Sequence, residues 1–138
     1  MKQLILFVAA ILICNVLLAQ ADSSACANYH KGYFSYTDSM GYVVLVQRRN
    51  KYQYEKNLFT KVKTQLRIKW ISDCTYQITQ TMTNSKAERK YNYTTTKVVI
   101  EKPDGNKGYG YSCGCPDEKE KDKGFMKKLS EKAYFELY

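Results

Sequence analysis

The chain of 138 residues holds one histidine and one tryptophan. With a single imidazole, a Ser-His-Asp or Cys-His unit would have to assemble around His30, and no G-x-S-x-G nucleophile turn accompanies it. His30, beside Lys31, therefore reads as a surface residue, and no catalytic residue is expected. No C-x-x-C pair of the kind that holds structural zinc occurs either, so neither a metal nor another cofactor is expected. Gly108-Tyr109-Gly110 has the look of half a phosphate-binding loop, but it lies inside a strand pattern, where glycine more often marks a bulge. Internal repeats and low-complexity tracts are absent. Long apolar runs are confined to one, Leu4 to Leu18, which is shorter than the ~20 residues a membrane-spanning helix needs. No transmembrane segment is expected.

That run has the form of a secretory signal. Lys2 precedes it, and Ala19-Gln20-Ala21 supplies the small residues a signal peptidase accepts. We therefore expect a signal peptide over 1–21, an exported (secreted or periplasmic) product, and one domain over 22–138. Ser23-Ser24-Ala25-Cys26 lacks the aliphatic residue of a lipoprotein box, and Cys14 leaves with the signal. About 117 residues remain, enough to bury roughly 65% of the surface of the unfolded chain in one domain.

What the mature segment does contain is alternation. Val62, Thr64, Leu66, Ile68 and Trp70 share one face, and Lys61, Lys63, Gln65, Arg67 and Lys69 the other, which is the period of a half-buried strand. Cys74 to Thr83 alternates too, completing an antiparallel hairpin. Further strands are predicted at Lys31 to Tyr36, Tyr42 to Gln47, Tyr52 to Phe59, Lys90 to Glu101, Lys107 to Cys113 and Phe125 to Leu129. Asp38-Ser39-Met40-Gly41 and Pro103-Asp104-Gly105-Asn106 supply turns. The segment after Leu129 is ambiguous: Phe125, Leu129 and Ala133 recur at helical spacing, whereas Tyr134 to Tyr138 reads as strand. An all-β, roughly eight-stranded antiparallel meander follows, closed as a small lipocalin-like barrel or open as a curled sheet. A barrel of that size is filled by side chains or just holds one small ligand. The 13 tyrosines suit either a lined cavity or ordinary strand surface.

Four cysteines follow the signal, Cys26, Cys74, Cys113 and Cys115, and export favours their oxidation as disulfides. In a meander of eight strands, Cys26 (before the first) and Cys74 (opening the fifth) share a rim, while Cys113 closes the seventh at the other. A strand separates the rims by ~20 Å, far beyond the ~6 Å a disulfide spans between Cα atoms, so Cys26 is expected to pair with Cys74. Cys113 and Cys115 could close only a small strained ring. They admit structural, intermolecular, redox or metal readings.

Lys and Arg number 22 against 13 Asp and Glu, and losing Lys2 with the signal leaves 21 against 13, a net +8. Such an excess suits adhesion to polyanions, or it solvates outer strand faces and guards edges against pairing. Along the sequence Glu55, Glu88, Glu101 and the mixed run Asp117 to Asp122 interleave with the cations, so no concentrated patch is evident.

Several runs together, Cys26, His30-Lys31-Gly32-Tyr33-Phe34, Arg48-Arg49-Asn50 with Gln53 and Glu55, and Lys69-Trp70-Ile71-Ser72-Asp73-Cys74-Thr75-Tyr76, resemble a group of small exported proteins of Bacteroidota, especially flavobacteria. That group carries a W-x-x-D-C-x-Y signature. Some of its members bear a DNA topoisomerase IV label, which this chain contradicts by its shortness and its signal. The resemblance implies a β fold and again a Cys26 to Cys74 bridge. The functional expectation is a secreted non-catalytic binding module for a small apolar or amphipathic ligand, with Ile68, Trp70, Tyr76 and Ile78 lining the interior. The alternatives are an interaction protein for an anionic envelope component, using the basic face of Lys61, Lys63, Arg67 and Lys69, and a thiol redox protein using Cys113 and Cys115. Specific nucleic-acid recognition is not expected.

Overall fold

The computed structural model describes residues 25–115 and 119–138; the expected signal and residues 116–118 lie outside them. Eight strands form a closed antiparallel barrel in chain order, β1 (Gly32–Thr37), β2 (Val43–Arg48), β3 (Tyr52–Asn57), β4 (Lys63–Ser72), β5 (Thr75–Thr83), β6 (Thr95–Asp104), β7 (Gly108–Gly114) and β8 (Asp122–Leu129). Closure comes from β8 returning to β1, with Tyr33 opposite Leu129 and Ser35 opposite Lys127. A short helix, α1 (Glu131–Leu137), follows. Of the two readings left open after Leu129, the helical one holds: Ser130 caps α1, its hydroxyl accepting from the Ala133 amide at 3.1 Å.

Boundaries differ from the sequence pattern most at the sixth strand, while β3 ends two residues early and β8 begins three residues early. The sixth strand starts at Thr95 rather than Lys90, because Glu88–Tyr91 forms a 3-10 turn and Tyr93 takes a positive φ of 69°. At the other end β6 runs through Pro103 to Asp104, and the turn is closed by the Lys107 amide donating to the Asp104 carbonyl. Strand alternation also breaks once in β5. A register shift between Gln65 and Leu66 leaves Thr81 as the extra residue, so Met82 turns outward and Thr83 inward opposite Thr64.

Inward positions follow from the pairing. Phe34, Val46 and Tyr109 are fully buried, and Ile68, Val98 and Met126 nearly so. Each contributes about 1.5–3 kcal/mol by leaving water. Two glycines allow the close approaches this filling needs. Gly108 has φ +136°, and a Cβ there would collide with the Met126 carbonyl; a Cβ on Gly124 would lie 2.5 Å from the Tyr111 hydroxyl oxygen.

One end of the barrel is plugged by the segment preceding β1. Cys26 is bonded to Cys74 at the β4–β5 turn, with Cα atoms 5.2 Å apart, as rim parity requires. Tyr29 is buried under this end, its ring 4.8 Å from that of Tyr109 and its hydroxyl donating to the Gly105 carbonyl at 2.8 Å. His30 is no bare surface residue: its ring stacks on Trp70 at 3.6 Å, and its Nε2 lies 2.8 Å from the Asp73 carbonyl oxygen.

Candidate functional site

The interior centres on Arg48. Val44, Val46 and Arg48 alternate along the inward face of β2, so the last of them carries a guanidinium into the core, where it is 2% exposed. Its donors are met on every side. Nε donates to Gln53 Oε1 at 2.9 Å, Nη1 to the Tyr29 carbonyl at 2.7 Å, and Nη2 to the Tyr76 and Tyr109 hydroxyls at 2.9 Å each. Around it stand the rings of Tyr76, Phe34 and Trp70, with centroids 4.7, 5.0 and 5.8 Å from the guanidinium carbon. Burial disfavours this charge, but the Tyr76 and Tyr109 hydroxyls more than offset it and hold its pKa above the ordinary value.

The network continues along β3 toward the other end. Gln53 Nε2 donates to Glu55 Oε1 at 2.6 Å, and the Tyr36 hydroxyl donates to Glu55 Oε2 at 3.0 Å. No ion pair joins Arg48 to Glu55; Gln53 bridges them. Glu55 keeps some solvent access, yet protein surrounds its carboxyl, and that desolvation raises its pKa against the pull of Gln53, Tyr36 and Arg48. Burial likewise lifts Tyr36 well above its ordinary range, and Tyr111 to about 12.

The four residues expected to line the interior do share its inward face: Ile68 pairs with Ile78, and Trp70 with Tyr76. Ile68 and Tyr76 are buried, and Trp70 and Ile78 pack against them. What Trp70 and Tyr76 face is the Arg48 side chain, so this end of the barrel is filled by protein. Cys113 also points inward, opposite Val98, with Cys115 just past β7.

Open volume lies on the outside. A groove of about 600 Å³ runs between α1 and the outer face of β2 to β5. Its floor includes Gln47, Tyr54, Gln65 and Met82 with the cations Arg49, Lys56 and Lys63 and the acid Glu55, and its wall is Tyr134, Phe135 and Tyr138. The helix is fastened there by rings: Tyr134 packs on Tyr33 at 4.8 Å, Phe135 meets Tyr33 edge-on at 5.7 Å, and the Tyr33 hydroxyl donates to Glu131. Leu45, on this outer face, is fully buried, as is nearly all of Tyr134. Phe135 and Met82 nevertheless remain 56% and 62% exposed within the groove.

Charge on this face is one-sided. Glu55 is the only acid in β2 to β5, and it points inward, so the interleaving of signs along the chain does not survive folding. Lys63, Arg67 and Lys69 keep the outward face of β4, whereas Lys61 leaves it: with φ 61° it sits in the β3–β4 turn, its Nζ donating to the Leu58 carbonyl. Arg67 and Lys69 border a second depression of about 440 Å³ with Lys51 and Tyr52. Among the described residues no ion pair engages Arg49, Lys63, Arg67 or Lys69, and Lys56 donates to the main-chain oxygen of Tyr138.

Arg48, Gln53, Glu55 and the rings of α1 escaped the sequence reading as site residues. The signal for Arg48 was its parity, a charge in phase with Val44 and Val46. For α1 it was Ser130 ahead of Glu131 at a helix start. Fold and groove together define a closed eight-stranded barrel with a filled, arginine-centred end and an aromatic, cationic cleft outside. Comparison with family models, curated proteins and solved structures finds no match for the chain.

Proposed function

We propose that the protein is an exported, non-catalytic barrel that binds a small amphipathic ligand in the groove beneath α1. The observation that carries this reading is a concavity of about 600 Å³ in which Phe135 and Met82 stay more than half exposed. That volume falls within the ~300–1,000 Å³ range of small-molecule sites, and apolar side chains left open in a concave, polar-rimmed place are what such sites present. The Cys26–Cys74 bridge supports export, since such bonds persist in oxidising compartments. Membership of the exported Bacteroidota group belongs to the same proposal and rests on the sequence resemblance at Cys26, Phe34, Gln53, Trp70, Cys74 and Tyr76.

The test uses N-phenyl-1-naphthylamine, an uncharged dye whose emission rises in apolar surroundings. The mature protein should bind it with an emission increase that Phe135→Ser removes, since that ring is exposed and its loss leaves the barrel intact. No increase, or one that Phe135→Ser leaves unchanged, would move the site away from the groove.

A second reading rests on the outer face as a whole: Arg67, Lys69 and Lys51 extend the cationic surface beyond the groove. A protein using that face would adhere to an anionic envelope component, with a steep dependence on salt.

A further inference from the structure

Lys56 of β3 and Lys63 of β4 are direct cross-strand partners on the outer face. Like charges placed opposite one another on a sheet destabilise it. Here the pair also converges: the two ammonium nitrogens lie 3.7 and 5.5 Å from the centroid of one ring, Tyr138. Lys56 spends one donor on the main-chain oxygen of Tyr138, the last residue of the sequence, where that oxygen is part of a carboxylate, and two of its three donors remain. Arg49, in the same groove, stacks over Tyr54 at 5.8 Å. The nearest acidic side chains are engaged by other partners. Glu55 is turned inward to Gln53 and Tyr36, Glu131 accepts from Tyr33, and Glu136 faces Lys132 at 3.8 Å. Three cations thus share one end of a groove lined otherwise by aromatic, thioether and uncharged polar side chains. Its one acidic side chain, Glu55, is already engaged by Gln53 and Tyr36. The Tyr138 oxygen answers Lys56 alone, leaving Lys63 and Arg49 without an ion pair among the described residues.

We propose that the ligand of this groove is a small amphipathic anion, its carboxylate, sulfate or phosphate group held between Lys56 and Lys63 beside Arg49 and its apolar body laid against Tyr138, Phe135 and Met82. This rests on the groove being the binding site. The anion relieves the Lys56–Lys63 repulsion as it binds, and the rings exclude water from the apolar part.

The experiment displaces bound N-phenyl-1-naphthylamine from the mature protein with two competitors of equal chain length, decanoate and decanol, both below their aggregation limits, at pH 8. Decanoate should compete about tenfold more strongly, the worth of one charge-assisted hydrogen bond. In Lys56→Gln/Lys63→Gln the two competitors should become alike, with decanol unchanged from the wild type. Lys63→Glu should raise the thermal midpoint of the unliganded protein by pairing with Lys56, and it should reverse the preference. Equal competition in the wild type overturns the proposal while leaving the groove reading intact, because the dye is still displaced. Failure of the dye to bind overturns both. Phosphatidylglycerol vesicles test the other source of such anions. Vesicle binding that decanoate does not compete would assign these cations to a membrane surface and overturn the free-ligand proposal.

Discussion

Replacing Arg48 with methionine isolates what the guanidinium does, because methionine fills much of the arginine stem and adds no polar group. Four hydrogen bonds disappear. Tyr76 and Tyr109 retain each other, their hydroxyl oxygens being 3.1 Å apart. The Tyr29 carbonyl and Gln53 Oε1 have no such substitute, and each buried acceptor left without a donor costs about 1–3 kcal/mol. Losing the cation from between the Tyr76 and Phe34 rings removes about 1–2 kcal/mol more. Relief of the desolvated charge offsets part of this, so the net loss should be about 3–5 kcal/mol.

Against a total stability of about 5–15 kcal/mol for a domain, a loss of that size is plain in urea unfolding followed by Trp70 emission and far-ultraviolet circular dichroism. The double variant Arg48→Met/Gln53→Leu separates orphaned acceptors from lost packing. It removes the stranded Gln53 oxygen and should recover about 1 kcal/mol. The same reasoning would be refuted by a single-variant loss below about 1 kcal/mol, or by a double variant less stable than the single.

Two further outcomes are expected. Cys26→Ala/Cys74→Ala opens a loop with a sequence separation of 48 and should lower stability by up to roughly 4 kcal/mol; reduction of the wild-type bridge should reproduce the loss, and an unchanged thermal midpoint would contradict it. Glu55 holds its proton more tightly folded than unfolded, because desolvation raises its pKa. Its contribution relative to Glu55→Gln should be fully present below the unfolded carboxylate value and be lost as pH rises through the folded one. Denaturation of both proteins from pH 3.5 to 7.5 checks the sign, and a difference that grows with pH would show that the hydrogen bonds from Gln53 and Tyr36 outweigh burial.

Strand number, antiparallel order, the Cys26–Cys74 bridge and the inward parity of β4 were all legible in the sequence. Each follows from a period of two and the short turns between runs, which are local properties. The closure of β8 on β1 was left open, because nothing local distinguishes a barrel from a curled sheet. Arg48 was hidden for a different reason. Its neighbours in space, Tyr29, Gln53, Tyr76 and Tyr109, come from four separate segments, and only the register that stacks them turns a basic residue into a core residue. The groove was hidden more deeply still. It needs α1, seven residues whose pattern fits strand or helix, to fold back on an outer face that strand periodicity marks only as polar.

The topology also changes what the lysines mean. Read along the chain, cations on outward strand positions serve to guard sheet edges against pairing with other molecules. A closed barrel has no edges, so that role falls away for Lys56, Lys63, Arg67 and Lys69. Solvation remains, but it is met by charges of both signs interspersed, as on α1, where Lys132 and Glu136 pair. Across β2 to β5 the outward face carries cations alone, and two of them stand directly opposite each other, an arrangement that costs stability without improving solubility over a mixed one. The interior end that the sequence reading assigned to a ligand is occupied by a guanidinium and its four acceptors. What the chain leaves open is outside: exposed rings and opposed ammoniums in excess over acidic groups, all around one groove.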